Sequence, residues 1–214
     1  MLVVIPLFDR FTALDAIGPY EVLSRLPGAE VVFAAAAPGP IRADTGQLAL
    51  VADQRLEALA ACDVLVVPGG PGTRIVMAHG PLTEWVAGIH PTTTWTTSVC
   101  TGSLVLGGAG LLQGLEATTH WNATELLESF GARYTGRRVV TEGKIVTAAG
   151  VSAGIDMALT LAARIAGDDV ARAIQLAIEY DPQPPFDSGS PAKAGPETVA
   201  VVRGALAGAG ARVS

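Results

Sequence analysis

A run of β-branched residues passes directly into a run of small residues in the middle of the chain, at 93–112 (TTWTTSVCTGSLVLGGAGLL). Residues 93–99 are rich in threonine and valine, which is typical of a buried strand. Residues 101–110 contain small side chains that allow a helix to pack closely against a sheet. The pattern therefore predicts a strand followed at once by a helix, with Cys100 at the junction.

Cys100 is the candidate nucleophile of the chain. A residue at such an elbow can be held in a strained backbone geometry that projects its side chain above the carboxyl edge of the sheet. The free N–H groups of the following helix point at this position and favour a thiolate there. The alternative is a small apolar filler, since free cysteine is among the most buried residue types. The elbow position favours the catalytic interpretation.

The composition limits the kind of protein that carries this elbow. The chain has 214 residues, 50% of them hydrophobic and 16% charged, and no linker, which predicts a single domain over residues 1–214. The net charge of −6 and the lack of a basic stripe argue against a nucleic-acid partner. The two cysteines, Cys62 and Cys100, cannot form a disulfide framework, which favours a reducing, cytoplasmic compartment. No apolar run is long enough to cross a membrane, and no membrane partner is expected.

Apolar runs alternate with helical patterns along the chain, which predicts an α/β fold with a parallel sheet. The predicted strands are residues 2–8, 30–36, 63–67 and 93–99. Hairpins are predicted within 38–51 and 138–148. The predicted helices are residues 12–26, 74–89, 101–110, 122–130, 153–166, 168–180 and 197–213, with Ser152 as the N-cap of the fifth.

Asp15 and a glycine-rich turn both follow predicted strands. Gly18-Pro19 interrupts the first helix, and since proline is best tolerated in a first turn, Asp15 is predicted to lie at the helix start. Its local alternative is a charge that serves only the helix dipole. Gly69 and Gly70 follow the strand at 63–67 and offer close backbone approach and free N–H groups. The turn lacks phosphate-binding spacing, so we expect either an oxyanion pocket facing Cys100 or a turn without function.

The histidines do not indicate a metal site. None of the three has a metal-ligand spacing to cysteine or to a second histidine, so zinc is not expected: His79, His90 and His120. Thiol acyl transfer usually pairs a cysteine with a histidine, but Thr101 is the residue that follows Cys100. His120 could approach Cys100 in three dimensions, although its neighbour Trp121 favours a packed, hydrogen-bonded histidine.

Taken together, these motifs resemble the ThiJ/PfpI superfamily. The features that carry the resemblance are the strand–Cys-Thr-Gly–helix elbow, the acidic residue on the first helix and the Pro-Gly-Gly turn. Longer blocks are similar to the bacterial isocyanide hydratases within that superfamily, and they span almost the whole chain: LDAIGP, TSVCTGSLVL, LLQG, ATTHW, AGID and EY followed by PPF. The elbow and the Thr-His-Trp sequence also recur in the ligand-sensing halves of AraC-type regulators.

The resemblance implies a flavodoxin-like three-layer sandwich, a homodimer, and hydration of a small-molecule isocyanide to an N-substituted formamide without metal or cofactor. Carried over by motif, Cys100 is the nucleophile, Asp15 its acid/base partner and Thr101 a hydrogen-bonding neighbour. Val151 lies in a small-residue turn near the site and, with the Gly69–Gly70 turn, is expected to line the substrate pocket. A thiolate and an ionised carboxylate in contact would repel, so we expect the pair to share one proton and titrate as a unit.

Two alternatives stay open at this point. A glyoxalase- or deglycase-like member of the superfamily usually has a glutamate on the first helix and often a histidine near the cysteine; Asp15 and Thr101 argue against it. The second is a non-enzymatic small-molecule sensor related to the AraC-type ligand domains. The sequence shows no helix-turn-helix and no basic region, which disfavours DNA binding but not sensing.

Overall fold

A mostly parallel, seven-stranded sheet lies at the centre of the computed structural model, in the order β10-β11-β7-β6-β1-β2-β5. The structure describes the backbone of residues 1–211 and the side chains of residues 1–207. The strands are β1 Leu2–Pro6, β2 Glu30–Ala35, β3 Gly39–Arg42, β4 Ala49–Ala52, β5 Gln54–Arg55, β6 Val64–Val67, β7 Trp95–Val99, β8 Glu116–Ala117, β9 Arg133–Tyr134, β10 Val139–Glu142 and β11 Ile145–Ala148. Among the central strands only β10 runs antiparallel to its neighbour, β11.

Helices connect the parallel strands and pack against one another in two groups. The helices are α1 Ala13–Leu23, α2 Thr73–Val76, α3 Pro81–Ile89, α4 Gly102–Gly108, α5 Thr124–Ser129, α6 Ala153–Ala166, α7 Asp168–Ala177, α8 Pro191–Ala194 and α9 Pro196–Ala211. One group joins α1, α6 and α7, and the other joins α2, α3, α4 and α5; α8 packs against α9. Within the described chain, no helix is both long and apolar enough to cross a membrane.

The middle strands form the core because their side chains are apolar on both faces. All four residues of β6 (VLVV) are buried, and so are the last four of β1. A strand covered by helices on both faces needs such a continuous apolar run instead of an alternating one. The prediction of an α/β fold with a mostly parallel sheet is confirmed.

The sheet register brings the candidate site residues to one edge. Val67 of β6 pairs with Ser98 of β7, and Val99 pairs with Ala148 of β11, so these three strands end at the same level. The glycine-rich turn, the elbow and the Val151 turn follow those three ends. The helix that carries Asp15 follows β1, which is parallel to β6. Parallel α/β sheets form their sites at this carboxyl edge.

Close packing at the elbow requires the glycine at its first helical residue. A Cβ atom built on Gly102 would lie 2.1 Å from the carbonyl oxygen of Val67 on the neighbouring strand. Only glycine lets α4 begin this close to β6. The small residues after Cys100 therefore allow the helix to pack closely against the sheet, as predicted.

Several local predictions hold, and a few are wrong for identifiable reasons. Both hairpins form, as β3–β4 and β10–β11. The predicted helix at 74–89 is two helices, α2 and α3, because Gly80 has an extended backbone and Pro81 begins a new helix. Asp15 does lie in the first turn of α1, but Pro19 lies inside that helix rather than in the first turn. Ser152 makes no capping hydrogen bond to α6. Its hydroxyl instead accepts a hydrogen bond from the Arg138 guanidinium. The last two residues of the predicted helix at 197–213, residues 212 and 213, lie outside the described residues.

Candidate active site

Cys100 occupies a strained elbow between β7 and α4, as predicted. Its φ is 57°, in the left-handed region that non-glycine residues rarely adopt. Such a conformation costs on the order of 1–3 kcal/mol and persists only where the surroundings impose it. The side chain is only 5% exposed and lines a cavity. The geometry of a nucleophile elbow is therefore present.

The backbone of Cys100 is held by four hydrogen bonds that fix the strained conformation. Its N–H is shared between the carbonyl oxygens of Ala148 and Ala149, each at 3.1 Å. Its carbonyl oxygen accepts from the hydroxyls of Ser103 and Thr119, each also at 3.1 Å. These partners lie at the end of β11, in α4 and in the loop after β8. Together they fix the direction in which the sulfur points.

Asp15 is a completely buried carboxyl next to this thiol. Its Oδ2 accepts a hydrogen bond of 2.9 Å from the Gly69 N–H, whereas Oδ1 is buried and, within the described chain, has no partner of ordinary hydrogen-bond geometry. Burial raises the pKa of Asp15 to about 7, and the Asp44 charge raises it slightly; hydrogen bonds from Gly69 and the Cys100 thiol oppose this. A carboxyl with such a pKa can hold or release a proton near neutral pH.

Two opposing effects act on the protonation of Cys100: donors at the helix start favour a thiolate, and burial favours the neutral thiol. Burial and the Asp15 charge raise the pKa of Cys100 well above its ordinary value. Hydrogen bonds from the N–H groups of Thr101 and Val151, and from the Thr101 hydroxyl, lower it but do not outweigh the burial. Donors at the helix start do act as foreseen, yet desolvation of the sulfur is the larger effect.

Thr101 connects the elbow to the glycine-rich turn. Its Oγ1 accepts from the Gly70 N–H at 2.9 Å and lies 3.0 Å from the hydroxyl of Thr73. That Thr73 hydroxyl is itself 2.6 Å from the Gly70 carbonyl oxygen. These bonds keep Thr101 beside the Cys100 sulfur, where it was placed by the resemblance.

Gly69 and Gly70 lie where predicted, but the prediction that they form an oxyanion pocket is wrong. The Gly69 N–H is bonded to Asp15 and the Gly70 N–H to Thr101, so neither is directed at the sulfur. Gly70 lines the cavity over Cys100, whereas Gly69 does not. The turn therefore positions the two side chains that flank the thiol. The donors that reach the sulfur come from Thr101 and Val151 instead.

Val151 is a second strained residue at the same place. Its φ is 38°, which is unfavourable for a β-branched side chain. It lies in the turn between β11 and α6, its N–H bonds to the Cys100 sulfur, and its side chain lines the cavity. Val151 therefore lies in the wall of the cavity over Cys100, and its contact with a substrate stays a prediction. Strain concentrated at two residues in contact is typical of a functional site.

A cavity of about 230 Å³ lies over the thiol. Its floor is Cys100 and Thr101, and much of its wall is apolar, with side chains from α4, α5, α9 and the short turn before α5: Leu104, Leu126, Leu206 and Ala123. The polar wall includes Thr12, whose hydroxyl donates to Asp44 at 2.8 Å. A cavity of this kind suits a small molecule that is mainly apolar.

His120 both lines the cavity and makes the hydrogen bond expected of a packed histidine. Its Nδ1 accepts from the Asn122 N–H at 3.2 Å, so the neutral ring carries its proton on Nε2. Burial lowers the pKa of His120, which keeps the ring neutral at pH 7. The ring stacks against Trp121 in a tilted arrangement with centroids 5.5 Å apart.

Sequence reasoning missed three contributors to the site. Thr73 supports Thr101, Asp44 anchors Thr12 and affects Asp15, and Leu206 closes the cavity from α9. The position of Thr73 directly after the glycine-rich turn was the one feature of the sequence that could have indicated its place in the site. Asp44 and Leu206 have no local motif, since they reach the site only through tertiary folding. Across the described residues, no cluster of three or more histidine, cysteine or acidic side chains could hold a metal ion.

Fold and site together define an α/β protein with a thiol–carboxyl pair at a nucleophile elbow. Comparison with known proteins makes the class specific. The chain belongs to the DJ-1/PfpI family, which it matches over residues 1–164. The resemblance found in the sequence is thereby confirmed.

Individual relatives are similar over most of the chain. An isonitrile hydratase from Pseudomonas putida is 45% identical over 185 residues, which cover 86% of this chain and 81% of that enzyme. The crystal structure of a ThiJ/PfpI family protein from Pseudomonas syringae superimposes with a TM-score of 0.89 at 34% identity, covering 98% of this chain and 89% of the other. The predicted flavodoxin-like α/β sandwich is confirmed by this similarity.

A third relative is a transcriptional regulator and not an enzyme by name. The HTH-type transcriptional regulator CdhR from Pseudomonas aeruginosa is 34% identical over 139 residues, which cover 62% of this chain but only 40% of the regulator. The enzyme relative therefore accounts for far more of both chains than the regulator does.

Gly69 offers a test of how strictly the site is built. A Cβ atom at Gly69 would lie 2.5 Å from the Thr101 nitrogen, 2.7 Å from its Oγ1 and 2.8 Å from Asp15 Oδ2. We expect Gly69→Ala to push Asp15 and Thr101 off position, lowering turnover about tenfold or more and costing about 1–3 kcal/mol of stability. Gly88→Ala, on α3, is the control, because a Cβ atom built there meets nothing within 4 Å and its φ is not left-handed. Unchanged turnover in Gly69→Ala would contradict the positioning function of the turn.

Proposed function

We propose that this protein is an isocyanide hydratase, which converts R–N≡C into the N-substituted formamide R–NH–CHO with Cys100 as nucleophile and Asp15 as acid/base. The observation that carries the proposal is the buried thiol–carboxyl pair at the floor of a mainly apolar cavity. The 45% identity to the isonitrile hydratase of Pseudomonas putida supports the same reaction. The glyoxalase-like and sensor alternatives have no comparable support.

The first step uses the thiol and the carboxyl together. The terminal carbon of an isocyanide accepts a soft nucleophile and must also gain a proton. As the sulfur of Cys100 bonds to that carbon, the S–H bond breaks and the one shared proton passes through Asp15 to the same carbon, which yields the thioimidate R–N=CH–S–Cys and leaves Asp15 ionised. The raised pKa of Asp15, about 7, suits a group that must give up a proton at neutral pH.

The second step adds water and restores the pair. Asp15 takes a proton from water as the oxygen bonds to the thioimidate carbon, and it passes that proton to the nitrogen. The resulting R–NH–CH(OH)–S–Cys then breaks its C–S bond, which releases the formamide and the thiolate while the hydroxyl proton goes to Asp15. The N–H groups of Thr101 and Val151 and the Thr101 hydroxyl stabilise the departing thiolate.

The experiment that tests the proposal is direct. The intact protein is incubated with a simple aryl isocyanide, and the N-aryl formamide is quantified by chromatography. We expect enzymatic formation well above that of heat-denatured protein, and the same rate after dialysis against a chelator, since the mechanism uses no metal. A parallel incubation with methylglyoxal tests the glyoxalase alternative. Formation of lactate without any formamide would replace the proposal by that alternative.

The proposal also includes a homodimer in the cytoplasm, acting as one domain over residues 1–214. Large apolar side chains remain exposed on the single chain, and these could form a dimer surface: Leu14, Leu48, Val51, Ile75, Leu176, Phe186, Val201 and Val202. Both cysteines are free, which suits a reducing compartment. Leu206 of α9 contributes to the cavity over Cys100, which favours one functional domain.

Sedimentation equilibrium checks the dimer. At micromolar concentration we expect a species of twice the 21.8 kDa chain mass. A species of 21.8 kDa that persists as concentration rises would refute the homodimer and leave the chemistry of the site untouched.

A further inference from the structure

A second cavity adjoins the one over Cys100. Its volume is about 350 Å³, and it shares four lining residues with the catalytic cavity: Arg74, Asn122, Ala123 and Leu126. Its remaining wall comes from the start of α5, the indole of Trp121 and Arg203 of α9. We call it the outer chamber. A substrate longer than its isocyanide group would extend from the thiol into it.

Two arginines and one acidic residue line the outer chamber. Arg74 and Arg203 both line it, and among the described residues the only carboxylate in its wall is Glu125. The Arg203 guanidinium carbon lies 5.5 Å from the centroid of the Trp121 ring, which gives the cation a fixed support. In the described part of the chain, none of these three charged groups belongs to an ion pair.

Other surface arginines of the described chain have polar partners. Arg42, Arg55 and Arg133 donate to backbone carbonyl oxygens. Arg25, Arg137, Arg138 and Arg172 each contact a carboxylate. A guanidinium presents a planar set of N–H donors that matches a carboxylate with two parallel hydrogen bonds. Two such donor sets facing one chamber form a site for an anion that the protein itself does not supply.

The thiol end of the inner cavity and the outer chamber have opposite electrostatic preferences, and Arg74 lies between them in the wall of both. The inner one lies against Asp15 and includes Asp44 in its wall, so it disfavours a negative charge. An isocyanide group is neutral and fits there. Ala123 and Leu126 line both cavities and provide an apolar passage between them. The arrangement matches a molecule with a neutral reactive end, an apolar middle and an anionic tail.

We propose that the outer chamber binds a carboxylate on the substrate, through Arg74 and Arg203, so that the preferred substrates are isocyanides with an acidic tail. This inference rests on the proposed hydratase function and names its substrate class. Arg74 and Arg203 are specificity residues in this scheme and take no part in bond making.

A matched pair of substrates tests the proposal. The acid 4-isocyanobenzoate and its methyl ester share the isocyanide and the ring but differ in charge. We expect the intact protein to prefer the acid by about tenfold in kcat/KM, mainly through KM, since a charge-assisted hydrogen bond contributes about that factor. Arg74→Gln and Arg203→Gln should each lower the ratio of acid to ester turnover about tenfold. Raised salt should lower the same ratio.

Arg172→Gln is the control, because Arg172 lies on α7, lines neither cavity and pairs with Asp168 and Asp169. It should leave both rates unchanged. Turnover of the ester with no preference for the acid, and no change of the ratio in either arginine variant, would overturn the acidic-tail proposal while the hydratase function stands. Equal losses for acid and ester would also overturn it, since they mean that the arginines only support α2 and α9. Turnover of neither compound would reject the hydratase function itself.

Discussion

Cys100→Ala is expected to abolish formamide production, lowering kcat/KM for an aryl isocyanide by about 10³-fold or more. The reason is that alanine cannot form the thioimidate, and no other nucleophilic sulfur lines the cavity formed by the described residues. Initial formamide rates give the measurement, and a melting curve of the same sample shows that the variant is folded. Release of the left-handed strain at residue 100 is not expected, since alanine there keeps a side chain.

Cys62→Ala is the matched control. Cys62 is also free and buried, but it precedes β6, its N–H donates to the Thr92 hydroxyl, and it does not line the cavity. Burial and the Asp63 charge raise the pKa of Cys62 to about 12, which keeps it a thiol. Its variant should keep nearly full activity. Equal losses in the two variants would reject Cys100 as the nucleophile.

The elbow could be predicted because its signal is local. Residues 95–99 are β-branched or aromatic apart from Ser98, and Gly102 must be small because the Val67 carbonyl lies against it. Both requirements appear in a few consecutive letters. The position of Asp15 followed from the rule that α/β sites form at one sheet edge, and the structure places Asp15 there.

The direction of backbone N–H groups could not be predicted in the same way. Gly69 and Gly70 were in the right place, but their N–H groups bond to Asp15 and Thr101. A glycine-rich turn can aim its donors in several directions, and the choice depends on ψ angles that glycine leaves open. Val151 was predicted only as a pocket residue. Its N–H reaches the Cys100 sulfur because its φ is 38°, a left-handed conformation that a β-branched residue does not indicate from sequence.

Desolvation of Cys100 was the other effect that the local sequence could not give. The helix start and nearby donors do favour a thiolate at Cys100, but they are local, whereas burial is a property of the whole fold. Leu206 and Arg203 illustrate the same limit at longer range. They lie on α9, far along the chain from the elbow, and only the folded structure shows that they close and extend the cavity.

The strongest test of the proton chemistry is Asp15→Asn. Asparagine keeps the shape of the side chain and can still accept the Gly69 N–H hydrogen bond, but it cannot carry the shared proton. Positioned acid–base catalysis contributes on the order of 10²–10⁴-fold, so we expect turnover to fall by a factor in that range. The parent rate should also change with an apparent pKa near 7, and this inflection should be absent in the variant.

The effect of the same substitution on stability has a definite sign. In the folded chain the pKa of Asp15 is about 7, above its ordinary value of 3.8, so the folded state binds this proton more tightly than the unfolded state. The resulting stabilisation is complete below the ordinary value and is lost as the pH rises through 7. Above that, keeping the ionised carboxylate buried costs about 4 kcal/mol relative to the protonated form.

Asp15→Asn should therefore melt at a higher temperature than the parent at about pH 8, and the difference should shrink as the pH is lowered toward about 4. A helix-start charge would give the opposite result, because losing a dipole or capping interaction costs about 0.5–2 kcal/mol and leaves the rate unchanged. Formamide rate and melting temperature, measured on one sample at both pH values, separate the two. A variant that turns over isocyanide normally and melts earlier would show that Asp15 is structural and that another group supplies the proton. A variant that is slower and more stable would show that the buried carboxylate is retained for catalysis at the expense of stability.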